Sequence, residues 1–293
     1  MTDYTANTAS PLPTNSPLTP VGKSPGNSMT EKEKVSVQRF WDDTPCGTGN
    51  IAYSVGTLEY FEEIAAKRNQ LEPFIVDYAQ FPRWTDKKVL EVGCGAGSDL
   101  LRFAQAGAKT TGIDLSPSSA SLANSRLRLY ICQGDTLVTD TENLPFKSNT
   151  FDLVYSWGVL HHTPDTERAI KEVYRVTKPG GEVCIMLYHR HSLVSLQMYL
   201  RYGLFVFRPL RSLKDILAKH HESPGTKAYT KVEVRQMFSA FDGLKVDIQL
   251  TPYDLRYGKD KYLPKWVHKL TPKRLGWFII IRGQKPTKQV RGY

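Results

Sequence analysis

Residues 89 to 97 read Val-Leu-Glu-Val-Gly-Cys-Gly-Ala-Gly, an apolar run interrupted by Glu91 and closed by three glycines at alternate positions, Gly93, Gly95 and Gly97. Glycines so spaced let the backbone take φ > 0 and let a ligand approach where a Cβ would collide. A helix starting just after them would add free N–H groups. Asp114 lies about 20 residues beyond the first glycine, where an acid can hold both hydroxyls of a ribose. The chemistry implied is the seating of a nucleotide-edged cofactor. It is not that of a dinucleotide, because Ser98 occupies the sixth place of Gly-x-Gly-x-x-Gly. Glu91, an anion just before the loop, suits a ligand bearing an ammonium group rather than a pyrophosphate.

These residues need a strand–turn–helix scaffold, and the spacing of apolar residues supplies one. Lys88 to Val92 reads as a strand buried on both faces, and Ser98 to Ala106 shows helical spacing through Leu100, Leu101 and Phe103. Lys109 to Leu115 is the next strand, and Thr136 to Thr139 a third that ends at Asp140. Strand four, Phe151 to Ser156, leads through Trp157-Gly158 to His161 and His162. A helix over Thr166 to Val176 stops at Lys178-Pro179-Gly180-Gly181. Strand five, Glu182 to Leu187, delivers Tyr188, His189 and Arg190, while Leu244 to Leu250 and Gly276 to Arg282 complete the strands. Ahead of the sheet, Glu31 to Phe40, Leu58 to Arg68 and Glu72 to Phe81 read as helices. After strand five come the apolar stretch Leu193 to Phe207, the amphipathic Leu213 to Lys219, a turn-rich loop from Glu222 to Tyr229, and a helix over Lys231 to Phe241.

An ammonium and a ribose on one ligand, together with a sulfonium, describe S-adenosylmethionine (SAM). Three acids would divide it: Glu91 near the methionine amino group, Asp114 on the ribose and Asp140 near the adenine amino group. The chain resembles the class I SAM-dependent methyltransferases, in the subgroup that includes the ubiquinone and menaquinone C-methyltransferases and many small-molecule enzymes. Four stretches carry the resemblance: Val89 to Gly97; Gly112-Ile113-Asp114-Leu115-Ser116; Asp140 to Phe146 with Phe151 to Ser156; and Leu160-His161-His162 through Arg175 to Gly181. Asp140-Thr141 stands where the family more usually has Asp-Ala, a change that touches only adenine packing.

The resemblance implies an α/β, Rossmann-like sheet of seven strands, the last antiparallel, flanked by helices and with SAM across the carboxyl ends of the first strands. It implies a cofactor set of Glu91, Gly93, Gly95, Gly97, Asp114, Leu115, Asp140, Thr141, Ser156 and Trp157. Segments before the first strand would lid the site, making Trp41, Tyr53 and Tyr60 candidates for the substrate wall, with Tyr188 from the end of strand five and Glu222 and Tyr229 from the later loop. Since a sulfonium methyl is already activated, a base is needed only where the acceptor must lose a proton. Among His161, His162 and His189, the expected bases are His161 and His189. No metal ligand set is expected from the spacing of cysteines and histidines.

The division expected is a disordered tail at 1–34, rich in Thr, Ser, Pro, Asn and Gly; lid helices at 35–86; and the methyltransferase domain at 87–293 with a helical cap inserted about 192–230. Four widely spaced cysteines and the absence of a signal-like start fit a cytoplasmic protein. The formal charge of +10 is uneven, for residues 189–293 hold 21 Lys and Arg against 7 Asp and Glu. That surplus points to an anionic partner. Leu193 to Phe207 is too short to span a bilayer and, bordered by Arg208 and Arg211, would lie in a membrane interface or cover the site. The expected function is therefore methyl transfer to a small, apolar or lipid-like acceptor, with possible peripheral contact to anionic membrane. An RNA or tRNA methyltransferase using the basic half, and a non-catalytic SAM-binding protein, are the alternatives.

Overall fold

Val89, Leu90 and Val92 are all buried, so the strand that carries them must be covered on both faces, as the run of apolar residues requires. The computed structural model describes residues 28–258 and 261–287. In chain order its elements are α1 (Ser28–Asp43), α2 (Leu58–Leu71), α3 (Ile75–Ala79), β1 (Lys88–Val92), α4 (Ser98–Gln105), β2 (Lys109–Asp114), α5 (Pro117–Leu129), β3 (Asp135–Val138), β4 (Phe151–Trp157), α6 (Thr166–Val176) and β5 (Thr177–Tyr188). There follow α7 (Leu193–Tyr199), α8 (Leu213–His220), α9 (Lys231–Met237), β6 (Asp242–Gln249), the hairpin β7 (Arg256–Gly258) and β8 (Lys261–Tyr262), α10 (Lys265–Leu270) and β9 (Phe278–Gln284).

The main sheet has seven strands in the order β3-β2-β1-β4-β5-β9-β6. The first five are parallel, and β9 runs antiparallel between β5 and β6, with Tyr188 opposite Phe278. This is the mixed seven-stranded sheet expected. Alternate residues leave opposite faces. Leu90, Val92, Val154 and Ile185 meet Ile170 and Val173 of α6 on one side. Val89, Leu153, Tyr155 and Met186 meet Ile75, Phe81, Trp84 and Phe103 on the other. The strand order reverses between β1 and β4, the switch point where open α/β sheets bind ligands outside the carboxyl ends of their strands.

Several boundaries differ from expectation for identifiable reasons. Helix α1 begins at Ser28, inside the segment expected to be a disordered tail, and the rest of that segment, 1–27, lies outside the described residues. The third helix shrinks to Ile75–Ala79, because Gln80 turns left-handed at φ 49° and Pro82 opens a separate short turn over Phe81–Trp84. Strand β5 starts at Thr177, directly after α6, and the Pro-Gly-Gly segment expected as a stop is an irregularity in its pairing with β4. A Cβ on Gly181 would come within 2.9 Å of the Lys178 carbonyl oxygen, so the kink admits no side chain there. The apolar stretch after β5 is helical only as far as Leu204, its last turn being a π-turn. The hairpin and α10, between β6 and β9, carry no periodicity strong enough to announce them.

Candidate cofactor and acceptor site

Three loop glycines occupy the turn between β1 and α4 for different reasons. Gly95, at φ 51°, has no atom within 4 Å of where a Cβ would stand, so its face is open to the pocket above the sheet. Gly97, at φ 72°, is closed: a Cβ would lie 2.9 Å from Ala123 Cα, and the glycine serves the packing of α4 on α5 rather than a ligand. Gly93 likewise abuts Val159, and it also lines the pocket. Asp114 holds the loop from below. Its Oδ2 accepts the Gly95 N–H at 2.9 Å and its Oδ1 the Ser116 N–H at 2.9 Å, leaving lone pairs on both oxygens.

Glu91 is buried at the end of β1, and its Oε2 has no hydrogen-bond partner. Burial and the neighbouring charge of Asp99 push its carboxyl well above the usual range, against the pull of Arg68 and Arg126. A buried carboxylate with a free oxygen is a seat for a cation. Asp99 itself accepts from Arg68 Nη2 at 2.6 Å and from Tyr155 Oη at 2.8 Å, while Arg68 Nε is unpartnered. Just past the end of α2, Glu72 accepts from the Trp157 indole at 2.7 Å and from Tyr253 Oη at 3.1 Å. Burial pushes the Glu72 carboxyl up.

Helix α1 roofs this pocket. Lys34, Val37 and Trp41, on one helical face, line it. Lys34 Nζ lies 2.6 Å from both Asp140 Oδ2 and Glu142 Oε2. At the other end Asp42 Oδ1 accepts from Ser116 Oγ at 2.6 Å and from the Ser118 N–H at 3.2 Å. The lid is thus tied at both ends to the loops that follow β3 and β2. Asp140 sits two residues beyond β3 rather than on it, its Oδ1 accepting the Glu142 N–H.

Beyond β4 the pocket is walled by Trp157, Val159, His162, Thr163 and Pro164, with Trp41 edge-on to His162 at 5.3 Å. The loop after α8 reaches in from the side. Ser223 Oγ and Thr226 Oγ1 lie 2.8 and 3.0 Å from His162 Nδ1, and Glu222 Oε2 lies 3.3 Å from Nε2. Tyr188 Oη donates to the same Glu222 oxygen at 2.7 Å. Burial raises the Glu222 carboxyl, but the His162 and His221 rings outweigh it and bring it to about 2. His161 is fully buried against the Tyr188 ring, centroids 3.8 Å apart, and burial holds its imidazole well below the ordinary value.

Of the residues expected here, Glu91, Gly93, Gly95, Asp114, Leu115, Asp140, Thr141, Trp157 and Trp41 line one pocket. Glu222 and Tyr188 stand behind its His162 wall. The remaining expected residues are elsewhere, His161 among them, fully buried against the Tyr188 ring and off the pocket wall. Gly97 packs on α5; Ser156 is buried beneath the pocket, its hydroxyl donating to the Val92 carbonyl at 3.1 Å. Tyr53 is exposed and lines a separate hollow beside Tyr60 and Leu122. His189 turns away, its Nδ1 3.0 Å from the Gly276 carbonyl oxygen, so it is no base for this pocket. Tyr229 packs on the core under β4 and β5. The residues missed were chiefly Lys34, Arg68, Asp99 and Cys46. The 3-4 spacing of Lys34, Val37 and Trp41 was the one available signal.

A pocket at the switch point, an open glycine turn, a buried acid with an unpartnered oxygen and a second acid beneath the loop are what a SAM-binding α/β fold calls for. The family model for a methyltransferase domain matches residues 90–185. Demethylmenaquinone methyltransferase of Bacillus licheniformis is 30% identical over 161 residues, covering 50% of this chain and 68% of that enzyme. Sterol 4-C-methyltransferase of Caenorhabditis elegans is 35% identical over 98 residues, or 33% of this chain. The chain spans 29% of the length of that sterol enzyme, 39% of a norajmaline N-methyltransferase and 31% of a tocopherol O-methyltransferase. The solved structure of magnesium protoporphyrin IX methyltransferase from Synechocystis, with bound SAM, has the same fold at a TM-score of 0.52 and 14% identity, covering 86% of this chain and 97% of that one. The chain belongs to the class I SAM-dependent methyltransferases. SAM is its cofactor.

Proposed function

We propose that this methyltransferase acts on a small, apolar or lipid-like acceptor drawn from an anionic membrane surface. The observation that carries the reading is the continuity of one pocket from the glycine loop to a wall made of Trp41, Trp157, Val159 and Pro164. When bound, SAM supplies a methyl group already activated on a sulfonium. Glu91 would hold the ammonium group through its free Oε2, and Arg68 the carboxylate through its free Nε. The lone pairs left on Asp114 would accept the ribose hydroxyls, and Asp140 and Thr141 would border the adenine. Alignment and exclusion of water are then the main contributions of the chain.

The membrane component rests on the cap. Leu204, Phe205, Val206, Phe207 and Leu210 are exposed, Phe207 and Leu210 at 94% and 99%, beside Arg208 and Arg211. An apolar tip flanked by arginines on a basic half suits the interface of an anionic bilayer. No helix among the described residues is long and apolar enough to cross one. The test is to incubate the purified protein with methyl-labelled SAM and a total extract of its host, then partition the label. Label in organic solvent supports the proposal. Label in RNA, released by ribonuclease, refutes it and turns the basic half into a nucleic-acid surface.

A further inference from the structure

His161, His162 and Glu222 each offer one ligand atom, and the three atoms lie within 4.8 Å of one another. Neither ring nitrogen of His161 has a hydrogen-bond partner, although the ring is fully buried, and His162 Nε2 has only the Glu222 carboxylate, 3.3 Å away. Each such orphan costs about 1–3 kcal/mol. A ring nitrogen of His161 and Nε2 of His162, close together and next to a carboxylate, point to a common occupant.

The donor set says which. Two imidazoles and one carboxylate are electron-pair donors with a net negative charge. The groups around them are placed as the outer partners of metal ligands are. Ser223 Oγ and Thr226 Oγ1 hold His162 by Nδ1, which turns Nε2 toward Glu222. Tyr188 Oη orients the Glu222 carboxylate. Glu222 takes a left-handed backbone, φ 53°, an uncommon conformation for a residue with a long side chain.

We propose that a ring nitrogen of His161, Nε2 of His162 and the Glu222 carboxylate bind a divalent transition-metal cation, zinc by donor type, with a coordination position left open toward the acceptor end of the pocket. Zinc–nitrogen distances of about 2.0–2.1 Å place tetrahedral ligand atoms roughly 3.4 Å apart, so the group must close on loading. The Glu222 side chain, 37% exposed, is the part free to move. The role in turnover rests on the methyltransferase reading; cation binding does not. A cation here lowers the proton affinity of an acceptor hydroxyl and directs transfer to oxygen. The O–H proton leaves to water, an oxygen lone pair forms the new C–O bond, and the S–CH3 bond breaks with its electron pair going to sulfur. The acceptor class is then a hydroxyl compound.

The test strips the full chain with EDTA and titrates it calorimetrically with zinc chloride, with SAM binding measured separately on the same samples. The expected result is one zinc per chain, weakened at least about a hundredfold in Glu222→Gln and His161→Gln and about tenfold in Tyr188→Phe. His191→Ala, a control away from the cluster, keeps wild-type zinc affinity. Circular dichroism checks that each variant is folded, and Glu222→Gln carries the test if His161→Gln is not. SAM affinity in Glu222→Gln stays within about threefold of wild type. Absence of stoichiometric zinc binding, or equal zinc affinity in Glu222→Gln and wild type, overturns the inference. SAM binding without zinc binding sinks this inference alone, whereas zinc binding without SAM binding sinks the methyltransferase reading instead.

Discussion

Gly95→Ala separates the cofactor seat from the fold. The backbone N–H of residue 95 keeps its bond to Asp114 Oδ2 in the variant, since only a methyl group is added. No protein atom lies within 4 Å of the new Cβ, so there is no internal clash. What remains is the left-handed backbone at φ 51°, which costs an alanine about 1–2 kcal/mol. For a domain of this size that is a fall in Tm of roughly 2–8 °C. The methyl group, however, projects into the cradle where the cofactor must touch the backbone. An overlap of about 1 Å there forces the ligand or the loop to move, and a loss of about 3 kcal/mol or more corresponds to at least a hundredfold in Kd. Gly97→Ala reverses the pattern. Its Cβ meets Ala123 backbone at 2.9 Å, so it loses more stability than Gly95→Ala, by about 1–3 kcal/mol of overpacking. Calorimetric SAM titration and thermal unfolding on both variants give the answer. Gly95→Ala binding SAM within threefold of wild type would refute the placement of the cofactor over this glycine.

Lys34→Ala unties one end of the lid. The partly buried ion pairs to Asp140 and Glu142 are lost, and SAM should dissociate about tenfold faster, followed by the fluorescence of Trp41 in stopped flow. An unchanged off-rate would mean that α1 does not gate the pocket. Asp254 gives a pH signature. Burial pushes its carboxyl up to about 6 despite hydrogen bonds from Thr251 and Trp277. A folded-state value above the unfolded one means stability is greatest below about pH 4 and falls as pH rises through about 6, by on the order of 3 kcal/mol. Denaturant melts of Asp254→Asn across that range should lack the fall; a parallel pH profile in the variant would assign it to other groups.

What could be read from the sequence was chemistry confined to neighbouring residues. The glycine loop, Glu91 and Asp114 are fixed by one βαβ unit, and their pattern is local. The strands declared themselves because buried parallel strands are continuous apolar runs, as at Val89 to Val92. What failed depended on contacts between distant segments. Lys34 meets Asp140 across 106 positions, and its polar surroundings read as tail. The side to which a histidine turns is equally invisible. His162 is grasped by the loop carrying Ser223 and Thr226, His161 lies against the Tyr188 ring, and His189 is drawn off by the Gly276 carbonyl. Gly97 shows the converse error, a ligand role inferred for a residue that serves helix packing.

Arg68, in the last turn of α2, and Glu72, just past its end, have a consequence for modularity. The first is bonded to Asp99 on α4, the second to Trp157 at the end of β4 and to Tyr253 beyond β6. A single segment outside the stretch matched by the family model, 90–185, therefore joins two parts of that stretch, at Asp99 and Trp157, to Tyr253 beyond it. Grafting a foreign N-terminal segment onto the sheet would leave Asp99 without its cation and Trp157 without its acceptor. The N-terminal segment and the floor of the pocket are fastened by the same side chains, so a replacement segment must bring its own counterparts of Arg68 and Glu72.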